Sequence, residues 1–281
     1  IRDNMYRIGI DVGGTFTDVI LVDIKSFKVF AVKVPTVTSD PSIGVINGIQ
    51  RVFRESNIQG SQVNFVGLGT TIATNLLVEG NGAKAGLLAT RGFRDSLEIR
   101  RSSRHDRADL YDMHFVNPPP LVRRQLRREI DERTLYDGSI QRKIDIEQVL
   151  QEIDYLINEG IESVAICFLH SYINNSNENQ VADLIRNRYP NLFVTTSNSV
   201  NPEMFEYERS STTVINALLG PKCEKYLSSL DKRIQQEDIS VGIYLMQSNG
   251  GLTRPSEAAQ KPFTLLESGP AGGVIGACLL Y

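Results

Sequence analysis

The feature that most constrains the fold is the stretch IGIDVGGTFTDVILVD, residues 8–23. An apolar segment leads into two glycines and continues directly into TDVILVD, whose β-branched residues and period-two alternation predict a second strand. A P-loop requires a lysine and a following helix, and a dinucleotide-binding GxGxxG turn also begins a helix. Since a strand follows the glycines, the stretch predicts a β-hairpin with a glycine turn and excludes both of those loops.

This hairpin has the residues expected of a phosphate-binding turn. Gly13 and Gly14 allow close backbone approach, so that successive N–H groups can face a phosphate. Thr15 and Thr17 add hydroxyl donors. Asp11, at the end of the first strand, is suited to hold the water shell of a Mg²⁺ ion that bridges phosphates. An ordinary hairpin with a Gly–Gly turn is the structural alternative, and these residues alone leave it open.

The rest of the chain predicts an α/β fold with a mixed sheet flanked by helices, because strands alternate with amphipathic helices after an initial three-strand meander. The predicted strands are Tyr6–Ile10, Asp18–Asp23, Phe27–Val34, Val63–Leu68, Ala85–Ala89, Val164–Leu169, Phe193–Thr196 and Val241–Met246. The main predicted helices are 39–56, Thr71–Glu79, Ile144–Asn158, Asn177–Arg188 and about Pro202–Gln236, the last with a break at Gly220–Pro221 left open.

A second group of small and polar residues follows a strand at GLGTTIATN. Gly69, Thr70 and Thr71 stand at the strand end, and Asn75 lies in the first turn of the next helix. Backbone amides at such a helix start suit an anion or a developing oxyanion. A helix start capped by threonine is the structural alternative.

Other candidate ligand-binding residues are more dispersed. Arg101 and Arg104 belong to an irregular segment, 100–120, and could bind carboxylate or phosphate, although nearby aspartates could pair with them instead. Glu206 and Arg209 begin a helix, where acidic residues are also favoured by the helix dipole alone. Asn249 and Gly250 follow a predicted strand, at the end where α/β folds bind ligands.

Composition excludes several classes of partner. The net charge of −3 gives no reason to expect nucleic acid or an anionic membrane, and no apolar run is long enough to span a bilayer. The three cysteines, which are far apart and form no CxxC pair, favour reduced thiols in a cytoplasmic protein.

The quoted motifs resemble a known family. DVGGTFTD after a strand resembles the first phosphate loop of the actin/hexokinase/Hsp70-type ATPase superfamily. More narrowly, DVGGTFTDVILVD, VGLGTTIATNLLVEG, EYERSSTTVINALLGP, MQSNGGL and LLESGPAGGVIGA, in this order, resemble the N-terminal part of the hydantoinase A / 5-oxoprolinase family. The resemblance implies a ribonuclease-H-like fold, with ATP and Mg²⁺ as cofactors.

The function implied by the resemblance is that of a component of an ATP-dependent cyclic-amide hydrolase, which activates a hydantoin- or 5-oxoproline-type ring carbonyl by phosphorylation. Two alternatives stay open: a subunit of an ATP-dependent ketone carboxylase, and a nucleotide-binding half without turnover. The implied roles are catalytic for Asp11 (through water-bound Mg²⁺), Thr70, Thr71 and Asn75; phosphate-binding for Gly13, Gly14, Thr15, Thr17 and Gly69; and substrate-binding for Arg101, Arg104, Glu206, Arg209, Asn249 and Gly250.

The resemblance also divides the chain. Residues 1–198 correspond to the N-terminal domain with the first phosphate hairpin, and residues 199–281 to the beginning of the hydantoinase A domain. A second DxGGT-like hairpin, which the superfamily uses to hold the other side of the nucleotide, does not occur in the sequence. We therefore expect a partner, either a hydantoinase B-like subunit or a chain that supplies the C-terminal half.

Overall fold

The computed structural model of the protein describes residues 6–101, 111–116 and 118–280. It contains two compact units, the first formed by Ile1–Gly82 with Lys222–Tyr281 and the second by Ala83–Pro221. The second unit is thus an insertion in the sequence of the first. The domain division predicted from the sequence, into residues 1–198 and 199–281, is based on family motifs and not on compactness. It stays a prediction.

Strands and helices follow one another in α/β fashion through the described residues. The first elements are β1 Tyr6–Val12, β2 Phe16–Asp23, β3 Val29–Pro35, α1 Pro41–Ser56, β4 Val63–Thr70, α2 Ile72–Val78, β5 Ala85–Thr90, α3 Ser96–Ile99, β6 Arg127–Ile130, β7 Arg133–Thr134 and β8 Ile140–Arg142. Next come α4 Ile146–Asn158, β9 Ser163–Cys167, α5 Ser176–Arg188, β10 Phe193–Thr196, α6 Ser197–Val200, α7 Glu206–Gln235, β11 Ile243–Met246, β12 Leu252–Thr253, α8 Pro255–Gln260 and α9 Ser268–Leu280. Short 3₁₀ turns cover Gly60–Gln62, Arg124–Leu126 and Pro262–Leu265.

The first unit is built on a mixed sheet with the strand order β12-β11-β4-β1-β2-β3. The meander β1–β2–β3 is antiparallel, whereas β4 runs parallel to β1 and β11 runs parallel to β4. The predicted hairpin and the predicted mixed sheet are therefore confirmed. Because β1, β4 and β11 are parallel neighbours, the turns after these three strands lie along the same edge of the sheet.

The two faces of this sheet differ. Ile8, Ile10 and Val12 alternate along β1 as buried residues of the core, and Asp11 points to the other face. Helix α1 packs closely on the buried face at Gly48, where an added Cβ would lie 2.5 Å from a methyl group of Val19. The close approach of this helix is possible because the residue is glycine.

The second unit has a parallel sheet with the order β10-β9-β5-β6. Its two central strands, β5 and β9, are buried at every position, as expected for a parallel sheet covered on both faces. Leu87, Leu88 and Ile166 from the strands pack in one core with Ile153 and Leu156 of α4.

Several local features settle or go beyond what the sequence indicated. Helix α7 is continuous through Pro221, so the chain does not break there. Strands β6, β7 and β8 lie in a part of the chain for which no strand was predicted. Cys167 and Cys223 are buried thiols, but Cys278 is exposed. None of the helices in the described residues is long and apolar enough to cross a bilayer.

Candidate functional site

The glycine turn between β1 and β2 is held from behind by Thr36. The Thr36 hydroxyl donates to the Gly13 carbonyl oxygen at 2.9 Å, and the Thr36 N–H donates to the Thr15 carbonyl oxygen at 2.9 Å. The Gly13 N–H is used inside the hairpin, where it donates to the Phe16 carbonyl at 3.0 Å. Within the described residues the Gly14 and Thr15 N–H groups make no hydrogen bond. The turn thus has its carbonyls occupied and amide donors available for an anion.

The two threonines of the turn differ in their surroundings. Thr15 is exposed, and its hydroxyl is free to contact a ligand. Thr17 is fully buried, and its hydroxyl shares a hydrogen bond of 3.0 Å with the hydroxyl of Thr36. Thr17 therefore supports the turn through Thr36 in this structure and presents no hydroxyl to the surface.

The end of β4 and the start of α2 are brought against the hairpin. The Thr71 hydroxyl and N–H both donate to the Val12 carbonyl oxygen, at 3.2 and 3.1 Å. Asn75 in turn donates to the Thr71 hydroxyl at 3.3 Å, and its amide nitrogen lies 3.5 Å from where a Cβ of Gly14 would be. Thr70 is buried, and its hydroxyl accepts the Ile72 N–H at 3.3 Å.

A cavity of about 640 Å³ opens in the first unit next to these residues. Its lining includes five of the residues predicted from the sequence, namely Gly13, Gly14, Thr70, Thr71 and Asn75. A cavity of this volume is large enough for a drug-sized ligand or for part of a nucleotide. The hairpin and the GTT block, which are separated by more than fifty residues in the sequence, therefore form one site.

Asp11 lies on the other face of β1 and does not line this cavity. Its cross-strand neighbours are Asp18 on β2 and Gly69 on β4, and a Cβ at Gly69 would lie 3.6 Å from an Asp11 carboxylate oxygen. Partial burial, and secondly the charge of Asp18, raise the pKa of Asp11, while Lys33 opposes the rise. Lys33 itself pairs with Asp18 at 3.0 Å.

These surroundings fit a Mg²⁺ ion held through water. Burial and a like charge both make a nearby cation favourable for the Asp11 carboxylate. No group of three or more His, Cys, Asp or Glu side chains that could form a metal site occurs among the described residues. The protein would therefore supply one or two carboxylates, and water and phosphate oxygens the other ligands, as is usual for Mg²⁺ at phosphates.

Asn249 and Gly250 belong to the turn after β11, at the sheet edge that also carries the end of β4. The Asn249 side chain accepts the Gly251 N–H at 2.8 Å, and Gly250 has a positive φ of 83°. The positive φ favours glycine at this position, whereas the nearest atom to an added Cβ, the terminal methyl of Ile275 at 2.4 Å, could move aside.

The remaining predicted substrate residues belong to the second unit. Arg101 stacks on the ring of Phe205 at 4.5 Å and forms an ion pair with Glu208, so its guanidinium is occupied. Glu206 is half-buried at the start of α7. Arg209 is fully buried and donates to the Ser171 hydroxyl at 2.7 Å. Arg104 lies outside the described residues.

The sequence did not identify the cavity wall that α7 contributes. Lys222, Lys225, Tyr226 and Ser229 line the cavity, together with Asp40 from the cap of α1. The signal was present, since these four positions of a predicted helix are spaced to fall on one face. Asp40 is also the N-cap of α1, where its carboxylate accepts the Ser42 N–H at 3.1 Å.

Comparisons with known proteins match both the N-terminal and the C-terminal part of the chain. The sequence profile described as the hydantoinase/oxoprolinase N-terminal region matches residues 7–189, and the profile described as hydantoinase/oxoprolinase matches residues 209–281. The chain is 35% identical to caprolactamase subunit alpha of Pseudomonas jessenii over 95% of its own length and 38% of the relative's. It is 30% identical to 5-oxoprolinase of Saccharomyces cerevisiae, over 96% of its own length and 23% of the relative's.

Among solved structures, the nucleotide-free structure of acetone carboxylase superposes with a TM-score of 0.88 at 26% identity, covering 99% of this chain and 40% of that one. The chain thus spans about two fifths or less of the length of the relatives that it matches. The expected ribonuclease-H-like, actin-like ATPase fold is confirmed by this similarity. With both profiles matching in order along most of its residues, the chain belongs to the hydantoinase/oxoprolinase family.

Proposed function

We propose that the chain is the nucleotide-binding component of an ATP-dependent hydrolase that opens a cyclic amide of the hydantoin or 5-oxoproline type. The observation that carries the proposal is the joining of the glycine turn to the start of α2 through the Val12 carbonyl oxygen. This contact sets the free Gly14 amide beside Thr71 and Asn75, in the lining of a cavity that can take a phosphate chain. The relatives support ATP use, since one similar solved structure is that of an ATP-dependent caprolactamase.

The proposed chemistry solves a specific problem. Amide resonance makes the ring carbonyl a poor electrophile, and phosphorylation of its oxygen removes that resonance and supplies a leaving group. The amide oxygen attacks the γ-phosphorus of ATP and ADP departs. Water then adds to the activated carbon, the ring C–N bond of this adduct breaks as the nitrogen takes up a proton, and a second water hydrolyses the resulting acyl phosphate to carboxylate and phosphate. Phosphoryl transfer itself depends on positioning and on neutralisation of charge.

Each predicted residue has a defined part in this proposal. The Gly13–Gly14 turn and Thr15 bind phosphate oxygens, with Thr17 positioning the turn through Thr36. Thr71 and Asn75 orient the phosphate or the reacting oxygen, and Thr70 and Gly69 shape the strand end. Asp11, on the face of β1 away from the cavity, stays the proposed carboxylate for the water shell of Mg²⁺, which would neutralise phosphate charge. Arg101, Arg104, Glu206, Arg209, Asn249 and Gly250 stay proposed substrate residues.

The proposal includes a partner, because relatives such as caprolactamase subunit alpha are subunits by name. A hydantoinase B-like subunit, or a further segment with a second phosphate hairpin, would complete the site. A cytoplasmic location, where ATP is available, is part of the same proposal.

A second candidate is a subunit of an ATP-dependent ketone carboxylase, which the 0.88 TM-score to acetone carboxylase favours. The two reactions can be separated by one experiment. The intact protein, with its partner, is incubated with Mg·ATP and either 5-oxoproline, hydantoin, caprolactam, or acetone with bicarbonate, and phosphate release is measured.

We expect a ring substrate to stimulate phosphate release, and Asp11→Asn to abolish the stimulation. Stimulation by acetone with bicarbonate alone would favour the carboxylase. Binding of ATP without stimulation by any of the four would leave a nucleotide-binding component without turnover and contradict the proposal.

A further inference from the structure

The turn before α9 is hydrogen-bonded to the strand end and the helix start that line the cavity. The Ser268 hydroxyl donates to the Thr70 carbonyl oxygen at 3.1 Å, and the Glu267 N–H donates to the Thr74 hydroxyl at 3.3 Å. Thr70 ends β4 and Thr74 belongs to α2, whereas their partners lie 198 and 193 residues later in the sequence. All four residues belong to the first compact unit, so the end of β4 has a support besides its contact with β1.

The Ser268 hydroxyl does not serve as a helix cap, although Ser268 is the first residue of α9. A serine at a helix start usually accepts a hydrogen bond from a backbone N–H of the first turn. Here the hydroxyl donates to Thr70, and the Ala271 N–H of the first turn bonds to the Glu267 carbonyl oxygen at 3.2 Å. The Ser268 side chain is only 1% exposed, so its bond to Thr70 is shielded from water. The serine therefore supports the end of β4 and not its own helix.

Glu267 has a backbone conformation that is uncommon outside glycine, with a φ of 57°. Such a conformation persists where the surrounding structure holds it, and it is concentrated at functional sites. The contacts that hold it are the hydrogen bonds of Glu267 and Ser268 to Thr74 and Thr70. The position of this turn is therefore tied to the end of β4.

Helix α9 lies on the same face of the sheet as Asp11. The parallel register of β11, β4 and β1 puts buried Leu245 on the core face with Ile10, so the next residue, Met246, points to the face of Asp11. The side chain of Met246 lies 3.7 Å from where a Cβ of Gly272 in α9 would be. The start of α9 is thus placed at the strand ends that carry the proposed phosphate and Mg²⁺ residues.

We propose that Ser268 is a positioning residue for phosphoryl transfer, in which its bond to the Thr70 carbonyl oxygen fixes the end of β4 relative to the glycine turn. Thr71, which follows directly, then keeps its two bonds to the Val12 carbonyl oxygen and presents its hydroxyl beside Asn75. The inference rests on the proposed function, which gives Thr71 and Asn75 the task of orienting the phosphate or the reacting oxygen. Ser268 acts through these residues and does not itself line the cavity.

Loss of this support should affect the rate of the reaction more than the binding of ATP. The Gly14 N–H belongs to the turn between β1 and β2, which is held by Thr36 and not by Ser268. Binding of phosphate oxygens at that turn is therefore retained. A displacement of about 1 Å at a group that orients the reaction can, in contrast, lower the rate about 100-fold.

The test is steady-state phosphate release by the intact protein with its partner, Mg·ATP and the stimulating substrate. We expect Ser268→Ala to lower kcat about tenfold and to change KM for ATP less than about twofold. Ser56→Ala is the matched control, because the Ser56 hydroxyl also donates to a backbone carbonyl oxygen, that of Val52 at 2.6 Å, and neither residue lines the cavity. It should keep both constants, even where its melting temperature falls as much as that of Ser268→Ala.

Thr74 provides a second pair of variants, which keeps the test independent of how well Ser268→Ala folds. Thr74→Val removes the hydroxyl that accepts the Glu267 N–H, and Thr74→Ser keeps it. We expect kcat to fall several-fold in the valine variant and to be restored in the serine variant, at equal KM for ATP. A merely structural threonine would change the melting temperature and leave kcat per folded molecule the same in both variants.

The outcomes separate this inference from the proposed function. If Ser268→Ala keeps kcat as Ser56→Ala does, or if KM for ATP rises as much as kcat falls, the positioning role is wrong and the proposed function survives. If only acetone with bicarbonate stimulates phosphate release and Ser268→Ala slows that reaction, the positioning role is correct and the cyclic-amide hydrolase is wrong. If no substrate stimulates phosphate release by the unmodified protein, both are overturned.

Discussion

The side chain of Thr71 donates a hydrogen bond of 3.2 Å to the carbonyl oxygen of Val12, and the Thr71 N–H donates a second one of 3.1 Å to the same atom. Val12 is the last residue of β1 and Thr71 directly precedes α2. The double contact fixes the entry to the glycine turn against the start of a helix that is distant in the sequence. The position of the turn amides therefore depends on Thr71 as much as on the glycines.

Replacing Thr71 tests this contact. We expect Thr71→Val to lower the free energy of unfolding by about 1 kcal/mol, because Asn75 loses an acceptor and one hydrogen bond to Val12 is lost. Nucleotide affinity should fall as well, since the turn is less well positioned. Denaturant unfolding and ATP titration provide the two measurements. Thr71→Ser keeps the hydroxyl and should restore both values; a loss as large as that of valine would contradict the role given to the hydroxyl.

The Asp11 carboxylate leads to a prediction about pH. Burial and Asp18 raise its pKa in the folded state, so its ionised form is disfavoured there relative to the unfolded chain. Its contribution to stability is complete below the ordinary aspartate pKa and is lost as the pH rises through the raised value. Asp11→Asn should therefore be at least as stable as the unmodified protein at pH 7, with the difference disappearing in acid, while ATP hydrolysis falls about 100-fold.

Asp23 is the matched control for that experiment because its pKa moves the other way. Hydrogen bonds from the Ser26 hydroxyl and the Lys25 N–H hold the pKa of Asp23 below its usual range. Asp23→Asn should lose stability at neutral pH, with little loss in acid, and should keep ATP hydrolysis. Melting temperatures between pH 3 and pH 8 would show the two opposite profiles, and equal profiles would contradict the assignment of Asp11.

Sequence patterns predicted the local structure around the glycine turn well. The alternation along β1 places the side chains of Asp11 and Val12 on opposite faces of the sheet, and the strand after the glycines excludes a P-loop. Both predictions depend only on residues that are close together in the chain. The neighbours of β1 could not be predicted in this way, because β4 and β11 join the sheet from distant segments. Thr17 is an example: the sequence predicted that its hydroxyl binds phosphate, but in the structure this hydroxyl is hydrogen-bonded to Thr36, which follows a different strand.

Charged strands were missed for a related reason. Strand β6 has the sequence RREI, whose charged residues are typical of a surface loop. In the structure, however, Arg127 is fully buried. Its guanidinium is paired with Asp95 at 3.4 Å and with Glu98, both on or next to α3. Ion pairing makes the burial of this charge tolerable, and such pairing is not visible to a pattern of apolar residues.

The close packing around Gly60 leads to a prediction about the stability of the first unit. A Cβ added there would lie 2.1 Å from the carbonyl oxygen of Glu237, a backbone atom that cannot move aside without displacing its segment. Gly60→Ala should therefore lower the free energy of unfolding by about 2 kcal/mol. Gly242→Ala is the control, since no atom lies within 4 Å of its added Cβ and its φ is not positive. Equal unfolding midpoints in urea for the two variants would show that the Gly60 contact is relieved without strain.

Arg209 separates a structural role from a role in substrate binding. It is fully buried, donates to Ser171, and lies over the ring of Tyr172 at 5.4 Å, while its charge helps to offset that of buried Glu178. We expect Arg209→Met to lower the free energy of unfolding by about 3 kcal/mol, because Glu178 loses a compensating charge.

Glu206→Gln, on the same turn of α7 and only half-buried, should change that free energy by less than about 0.5 kcal/mol. Urea unfolding of both variants measures the effect on stability, and KM for the ring substrate measures the effect on substrate binding. If Arg209→Met keeps its stability and raises KM, the arginine contacts substrate, as the motif resemblance implied. If stability falls while KM for the remaining folded protein is unchanged, its role is to hold the carboxyl ends of the parallel strands around Glu178.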